Sequence, residues 1–287
     1  MKPLARQILT FVCLVFLFSM VPYLLMIHAH HVMAGNGLAV RLIMWCPTAA
    51  AFATCALFRI DSRTLGWSWR PIRYEAIGYF LPLAYAIPVY VVTWIAMPGS
   101  FALRAFEEKA AASLSMSSSP HLATFALMIP MLATLGVIGS LANALGEEIG
   151  WRGFLLPRLT RQFGFTLGCT VSGLIWAVWH YPGLLWADYN AGTNPVYALT
   201  CFTLMVTADA FILGWLRLKS GSLWPCALLH ASHNLFIQAI FDEITAPAGR
   251  ALYFTTEFGC GLVLTVGAAA AYLWTRRGEL PHSALLK

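Results

Sequence analysis

Long apolar runs dominate this chain, and short polar clusters separate them. A helix needs about 20 mostly apolar residues to cross the hydrocarbon core of a bilayer. Eight such stretches can be marked, at roughly 7–27, 38–58, 76–98, 126–156, 164–184, 196–216, 221–241 and 253–275. Pro157 and Pro182 are expected to end the fourth and fifth of them, because proline cannot continue the hydrogen-bonded ladder. The first run, ILTFVCLVFLFSMVPYLLMI, follows Lys2 and Arg6 as a secretion signal would. It is longer than a signal's apolar region and no clear small-x-small cleavage site follows, so it reads as a retained anchor. Between the third and fourth runs, FALRAFEEKAAASL reads as a short interfacial helix before the turn-like SMSSSPH. The segment DSRTLGWSWRPIRYE, residues 61–75, interleaves Trp67 and Trp69 with arginines, which suits a stretch at headgroup level. No repeat and no separate low-complexity region is evident. The expected fold is all-α, a polytopic membrane bundle of about eight transmembrane helices forming one integral-membrane domain over 1–287.

Composition agrees with the pattern. Hydrophobic residues make up 59% of the chain and charged residues only 10%, whereas a soluble domain carries about 25% charged residues. A water-soluble core of this composition would lack the polar surface to cover it. Lys and Arg set the orientation. With the N-terminus inside, Lys2, Arg6, Arg59, Arg63, Arg70, Arg73, Arg152, Arg158, Arg161, Arg217, Lys219, Arg276, Arg277 and Lys287 fall on the cytoplasmic side, against Arg41, Arg104, Lys109 and Arg250 outside. Both termini are therefore expected in the cytoplasm. The net charge of +6 is this bias, together with attraction to anionic lipid. No basic stripe forms on any helix, so nucleic acid is excluded as a partner and the bilayer itself is expected. The expected location is multi-pass in the plasma membrane of a prokaryote. The cysteines at Cys13, Cys46, Cys55, Cys169, Cys201, Cys226 and Cys260 stand singly, with no CxxC spacing, as small packing residues do.

With so few charges, their concentration in GEEIGWR (146–152) stands out. Glu148 and Arg152 are four apart on a helix with the glutamate first, the favourable order for an ion pair. Glu147 points about 100° away, without a helix-local partner. Glu148 reads as structural and Glu147 as reactive; the alternative is that both sit solvated at the cytoplasmic end of the span. Two further spans carry polar groups on one face: Trp176 and His180 in WAVWH, and His230 and Asn234 in HASHN, with His233 on the adjoining flank. A rise of about 1.5 Å per residue puts His230 about 13 Å into the seventh span and Glu147 about 15 Å into the fourth, if that helix runs on to Pro157. On the same scale His180 sits higher, at about 24 Å.

Glutamate, two histidines and an asparagine in one membrane cavity admit more than one chemistry. A carboxylate can take a proton from water while an imidazole and an amide stabilise the oxyanion. Alternatively Glu147, His180 and His230 could hold zinc with an open position, so the cofactor is either none or Zn. Both routes hydrolyse an amide bond in a peptide or protein substrate. A proton-coupled transporter or a non-catalytic scaffold could use the same residue types. Asp209 in the sixth span could line the cavity or bond to a neighbouring helix. Glu257 is expected at the interface. His233 reads as a packing residue in preference to a hydrogen-bond donor behind the site, and the His28–His31 run as a solvated loop rather than a metal cluster.

These motifs resemble those of a known family. GEEIGWR resembles the EExxxR motif, WAVWH the FxxxH motif and HASHN the HxxxN motif of the CPBP proteins, the CAAX-protease and bacteriocin-processing (Abi) intramembrane endopeptidases. The three occur in the family's order, and the resemblance covers about 140–240, within an expected catalytic core of about 126–241. LGWSWRP after the second span is also similar. Trp176 departs from the pattern by replacing its phenylalanine. The resemblance implies a catalytic set of Glu147, Glu148, His180, His230 and Asn234. In it, Glu147 activates water with His180, while His230 and Asn234 hold the oxyanion. Glu148 and Arg152 position the helix and the substrate's C-terminal carboxylate, and Trp176 shapes the site. Family members are described as metalloproteases; asparagine, a good oxyanion donor and a poor zinc ligand, tips the reading toward metal-free hydrolysis. The substrate could be a prenylated CAAX protein, a bacteriocin leader or a membrane-anchored signalling peptide.

Overall fold

The computed structural model describes residues 3–69, 71–246 and 250–281. Lys2, Arg70 and Lys287, three of the cations assigned to the cytoplasmic side, lie outside them. Among the described residues the regular structure is helical, apart from one isolated antiparallel bridge between Phe101 and Thr245. In chain order the helices are α1 (Pro3–Ala29), α2 (Leu38–Phe58), α3 (Ile72–Ala96), α4 (Leu103–Ser113), α5 (Pro120–Trp186), α6 (Pro195–Ser220), α7 (Trp224–His233) and α8 (Cys260–Thr275). α4 is the short helix expected in FALRAFEEKAAASL. α7 runs on through π-helical turns, Asn234–Phe241, to Ile244.

Five of these helices, α1, α2, α3, α5 and α6, are long and apolar enough to cross a membrane by length and composition. The fourth and fifth expected spans follow one another in a single run of 67 residues, α5, which is interrupted by one kink. Pro157 does not end it. The wide π-helical turns of Ile149–Leu155 immediately precede that proline, and such loosened turns give room for a ring that would otherwise strike a carbonyl one turn back. The break comes instead at Gly164, with φ 79° and ψ 172°, a region of backbone space that is essentially glycine-only. Pro182 is also inside the helix, which continues to Trp186. The last helix is shorter than expected. α8 begins at Cys260, and the residues from 254 to 259 form turns rather than helix.

Polarity is inverted relative to a soluble protein. Ile95, Leu264 and Val196 are exposed, while Glu147, Glu148, Arg152, Asp209, Arg217, His230 and His233 are buried. In lipid, apolar side chains belong outside, and polar ones need partners within the bundle. Close backbone approach at the polar centre depends on two glycines one turn apart. A Cβ at Gly146 would lie 2.7 Å from the Met44 carbonyl oxygen, and one at Gly150 would lie 2.5 Å from Pro47. These small residues let α2 press directly on α5, and Thr48 Oγ1 donates to the Gly146 carbonyl at 2.6 Å. The turn of α5 bearing both glutamates is thereby fixed against α2. On its other side, Trp151 meets Phe11 of α1 edge-on at 5.8 Å and Trp179 at 5.5 Å. Trp67 and Trp224 close the end at the 61–75 segment, where Trp224 Nε1 donates to the Trp67 carbonyl at 2.8 Å.

Candidate active site

The four-residue spacing of Glu148 and Arg152 produces the ion pair it predicts. Arg152 Nη1 donates to Glu148 Oε1 at 2.8 Å, with both side chains essentially inaccessible. α7 supplies a second partner: His230 Nδ1 donates to the same Oε1 at 2.9 Å. Glu148 Oε2 has no hydrogen-bond partner among the described residues. The Arg152 guanidinium lies over the Trp176 ring, 4.0 Å from its centroid, and Arg217 Nε donates to the Arg152 carbonyl at 3.0 Å. Two buried charges are thus tied to α6, to α7 and to the part of α5 beyond Gly164, which supports a helix that continues through GEEIGWR rather than ending there in water.

Glu147 points to a different side, and it is not without partners. Its Oε2 accepts from Trp151 Nε1 at 3.1 Å, one turn along the same helix, and from Trp176 Nε1 at 2.8 Å. No opposite charge stands one helical turn from Glu147; a neutral donor, Trp151, takes that place with the same four-residue spacing. Both indole bonds fall on Oε2, which leaves Oε1 for the cavity that Glu147 lines.

That cavity has a volume of about 260 Å³ and brings together Glu147, His180, His230 and Asn234. Three elements contribute: the first limb of α5, its second limb beyond Gly164, and α7 where it passes into π-helical turns. His180 Nδ1 donates to the Trp176 carbonyl at 2.9 Å, so its neutral ring carries the lone pair on Nε2. His230 is held by Glu148 in the same manner, again leaving Nε2 for the cavity. Trp176 lines the cavity too. Glu148 and Arg152 do not. Each is essentially inaccessible, so Arg152 as placed cannot meet a substrate carboxylate, and Glu148 acts on the cavity only through His230.

Three further residues belong to this cavity, and two of them, His233 and Glu257, read differently in the sequence. His233 is not a mere packing residue: Tyr85 Oη lies 2.6 Å from its Nδ1, and its Nε2 donates to Glu257 Oε1 at 3.0 Å. Glu257 is buried rather than interfacial, and its Oε2 accepts from Tyr189 Oη at 2.7 Å. It comes from the turn before α8, where helical spacing carries no information. Asp209 lines the cavity, and its buried Oδ1 has no hydrogen-bond partner among the described residues. The only sequence signal for this group is that acidic side chains are so scarce in the apolar runs. The His28–His31 run is exposed, as expected, but His31 is not free: its Nδ1 donates to Asp188 Oδ2 at 2.6 Å, and Asp188 Oδ1 accepts from the Val32 backbone at 2.9 Å.

The residues as placed do not fit a zinc ion. Zinc in a catalytic site takes three protein ligands converging on one point. Among the described residues no group of three or more His, Cys, Asp and Glu side chains is arranged to hold a metal. Glu147, His180 and His230 share a cavity without making such a set.

Residues 129–236 match the family model of the Rce1-like type II CAAX prenyl endopeptidases. The segment is similar to that family, in keeping with the resemblance of its three motifs. The match spans all three motifs and ends just beyond Asn234, so the Rce1-like segment contains Glu147, His180, His230 and Asn234 together. A CAAX prenyl protease 2 from Methanococcus maripaludis is 26% identical over 78 residues, which is 26% of this chain and 28% of that relative. The matched stretch is thus well under half of either protein.

Proposed function

We propose that this protein is an intramembrane endopeptidase that hydrolyses a peptide bond in a membrane-associated substrate. The observation that carries the reading is the convergence of Glu147, His180, His230 and Asn234 on one cavity inside an apolar helix bundle. Water bound at Glu147 Oε1 loses a proton to the carboxylate as its oxygen attacks the scissile carbonyl carbon. His180 Nε2 accepts a hydrogen bond from the same water and orients it. Negative charge develops on the carbonyl oxygen, where His230 and the Asn234 amide donate to it. Donation by His230 requires a proton on Nε2 as well as on Nδ1, hence the imidazolium form, for which Glu148 supplies the counter-charge. Collapse of the tetrahedral intermediate breaks the C–N bond, and the proton held by Glu147 passes to the leaving amine. Each of these steps is written with the chain's own side chains.

The apolar flank of the cavity suggests the substrate class. Met26 of α1, with Val40, Ile43 and Met44 of α2, forms one wall, a surface suited to a hydrocarbon chain beside the peptide. A prenylated peptide ending in a CAAX-type sequence is therefore the first substrate to test, with leader peptides second. Purified protein in detergent, without any ion gradient, should cleave it, and Glu147→Gln should abolish cleavage. Gradient-driven solute uptake into liposomes, lost in Glu147→Gln, together with no peptide cleavage, would instead mark a proton-coupled transporter. A protein inert in both assays would be a scaffold.

A further inference from the structure

We infer that Trp176 is a positioning residue that holds both halves of the water-activating pair, Glu147 and His180, through opposite ends of one amino acid. The inference rests on the endopeptidase reading for its kinetic consequence, but its geometry stands apart from that reading. The main-chain carbonyl of Trp176 accepts from His180 Nδ1 at 2.9 Å, and its indole Nε1 donates to Glu147 Oε2 at 2.8 Å. The first bond fixes the imidazole tautomer. The second, with the bond from Trp151 Nε1 at 3.1 Å, occupies Oε2 from two directions. Turning the carboxylate about its Cγ–Cδ bond by a right angle would break both indole bonds, so Oε1 keeps one direction relative to the cavity.

The indole is itself held. It is buried, with the Arg152 guanidinium 4.0 Å over its ring and the His230 ring edge-on at 5.6 Å. A cation over the π face is attracted by the ring, and the same Arg152 is paired with Glu148. Trp176 therefore touches Arg152 of the buried pair, His230 and Glu147 at once. The carbonyl contact to His180 would survive any residue at this position. The N–H to Glu147 would not: phenylalanine, the residue of the FxxxH pattern, keeps the ring and lacks the donor. The departure from that pattern thus adds a hydrogen bond to a charged group.

The test uses full-length protein in detergent and the prenylated peptide above. In Trp176→Phe, kcat should fall about tenfold, the worth of one hydrogen bond to a charged group, while KM stays within about twofold. Trp151→Phe should act in the same direction. A structural role alone predicts a lowered melting temperature with kcat unchanged per folded molecule, or kcat and KM changed together. A second readout needs no activity. In protein labelled with 15N at the tryptophan indoles, the N–H resonances missing from Trp151→Phe and Trp176→Phe identify the two donors in wild type, and both should shift in Glu147→Ala. Wild-type kcat in Trp176→Phe, or indole resonances indifferent to Glu147→Ala, would overturn the inference. Absence of wild-type cleavage with shifted indoles would sink the endopeptidase reading and leave the positioning contact standing.

Discussion

Glu148 and His230, 82 positions apart in sequence, meet at 2.9 Å in the middle of the bundle, where the histidine donates to the same carboxylate oxygen that Arg152 already engages. One buried carboxylate thus joins the helix carrying Glu147 to the helix carrying His230 and Asn234. The relative placement of the proposed base and the proposed oxyanion donors depends on that junction.

Breaking it from the arginine side should be costly. Removing one partner of a buried ion pair strands the other charge and typically costs about 3–5 kcal/mol. Arg152→Leu is therefore expected to lower the melting temperature and the yield of folded protein in detergent, and adding Glu148→Gln should partly restore both. Equal melting of wild type, single and double variants would show that the pair contributes nothing.

The second buried pair, His233 with Glu257 at 3.0 Å, should behave in the same way. His233→Phe removes one hydrogen-bond partner of the buried Glu257 carboxylate, so a loss of about 1.5–3 kcal/mol is expected. Glu257→Gln in the same protein should recover part of it. A packing histidine would show no such recovery, and a thermodynamic cycle over the four proteins separates the two cases.

Asn234 should matter for rate and not for folding. It is only partly buried and makes no ion pair, whereas loss of one oxyanion donor costs about 10²–10³ in kcat. Asn234→Ala should therefore melt like wild type and cleave the prenylated peptide at a small fraction of its rate. Near-normal turnover would remove the amide from the oxyanion site.

The parts of the site that share a helix are legible from the sequence, and those that cross between helices are not. A four-residue spacing suffices to place Arg152 on Glu148, and His180 on the face of Trp176. The meeting of Glu148 with His230 depends on how α5 packs against α7, which no local spacing encodes; depth along the spans brings Glu147 and His230 to a similar level and goes no further. Glu257 escapes because it sits in turns before α8, where a 3.6-residue period has no meaning. Trp151 and Trp176 are overlooked as donors to Glu147 because in an apolar run an indole reads first as bulk, although its N–H must find an acceptor when buried. Pro157 misleads for a different reason: the cost of a proline in a helix assumes regular α turns before it, and here they are π-helical. The family match recovers the motif-bearing segment, as the three motifs in order imply.

Metal content offers an independent test of the hydrolytic chemistry. Protein purified without added metal should carry well under one equivalent of zinc, and chelator treatment should leave cleavage intact. One equivalent of zinc, lost together with activity in His180→Ala and restored by zinc in wild type, would replace the general-base mechanism with a metal-bound water at the same residues.

The central claim is that Glu147 activates the water that cuts the peptide. The most direct measurement is single-turnover cleavage of the prenylated peptide in 18O-labelled water, by wild type and Glu147→Gln matched for melting temperature. The account predicts one 18O atom in the new carboxylate, and a single-turnover rate lower by about 10²–10⁴ when the base is removed. Glu147→Gln cleaving at the wild-type rate, with the same 18O incorporation, would contradict it.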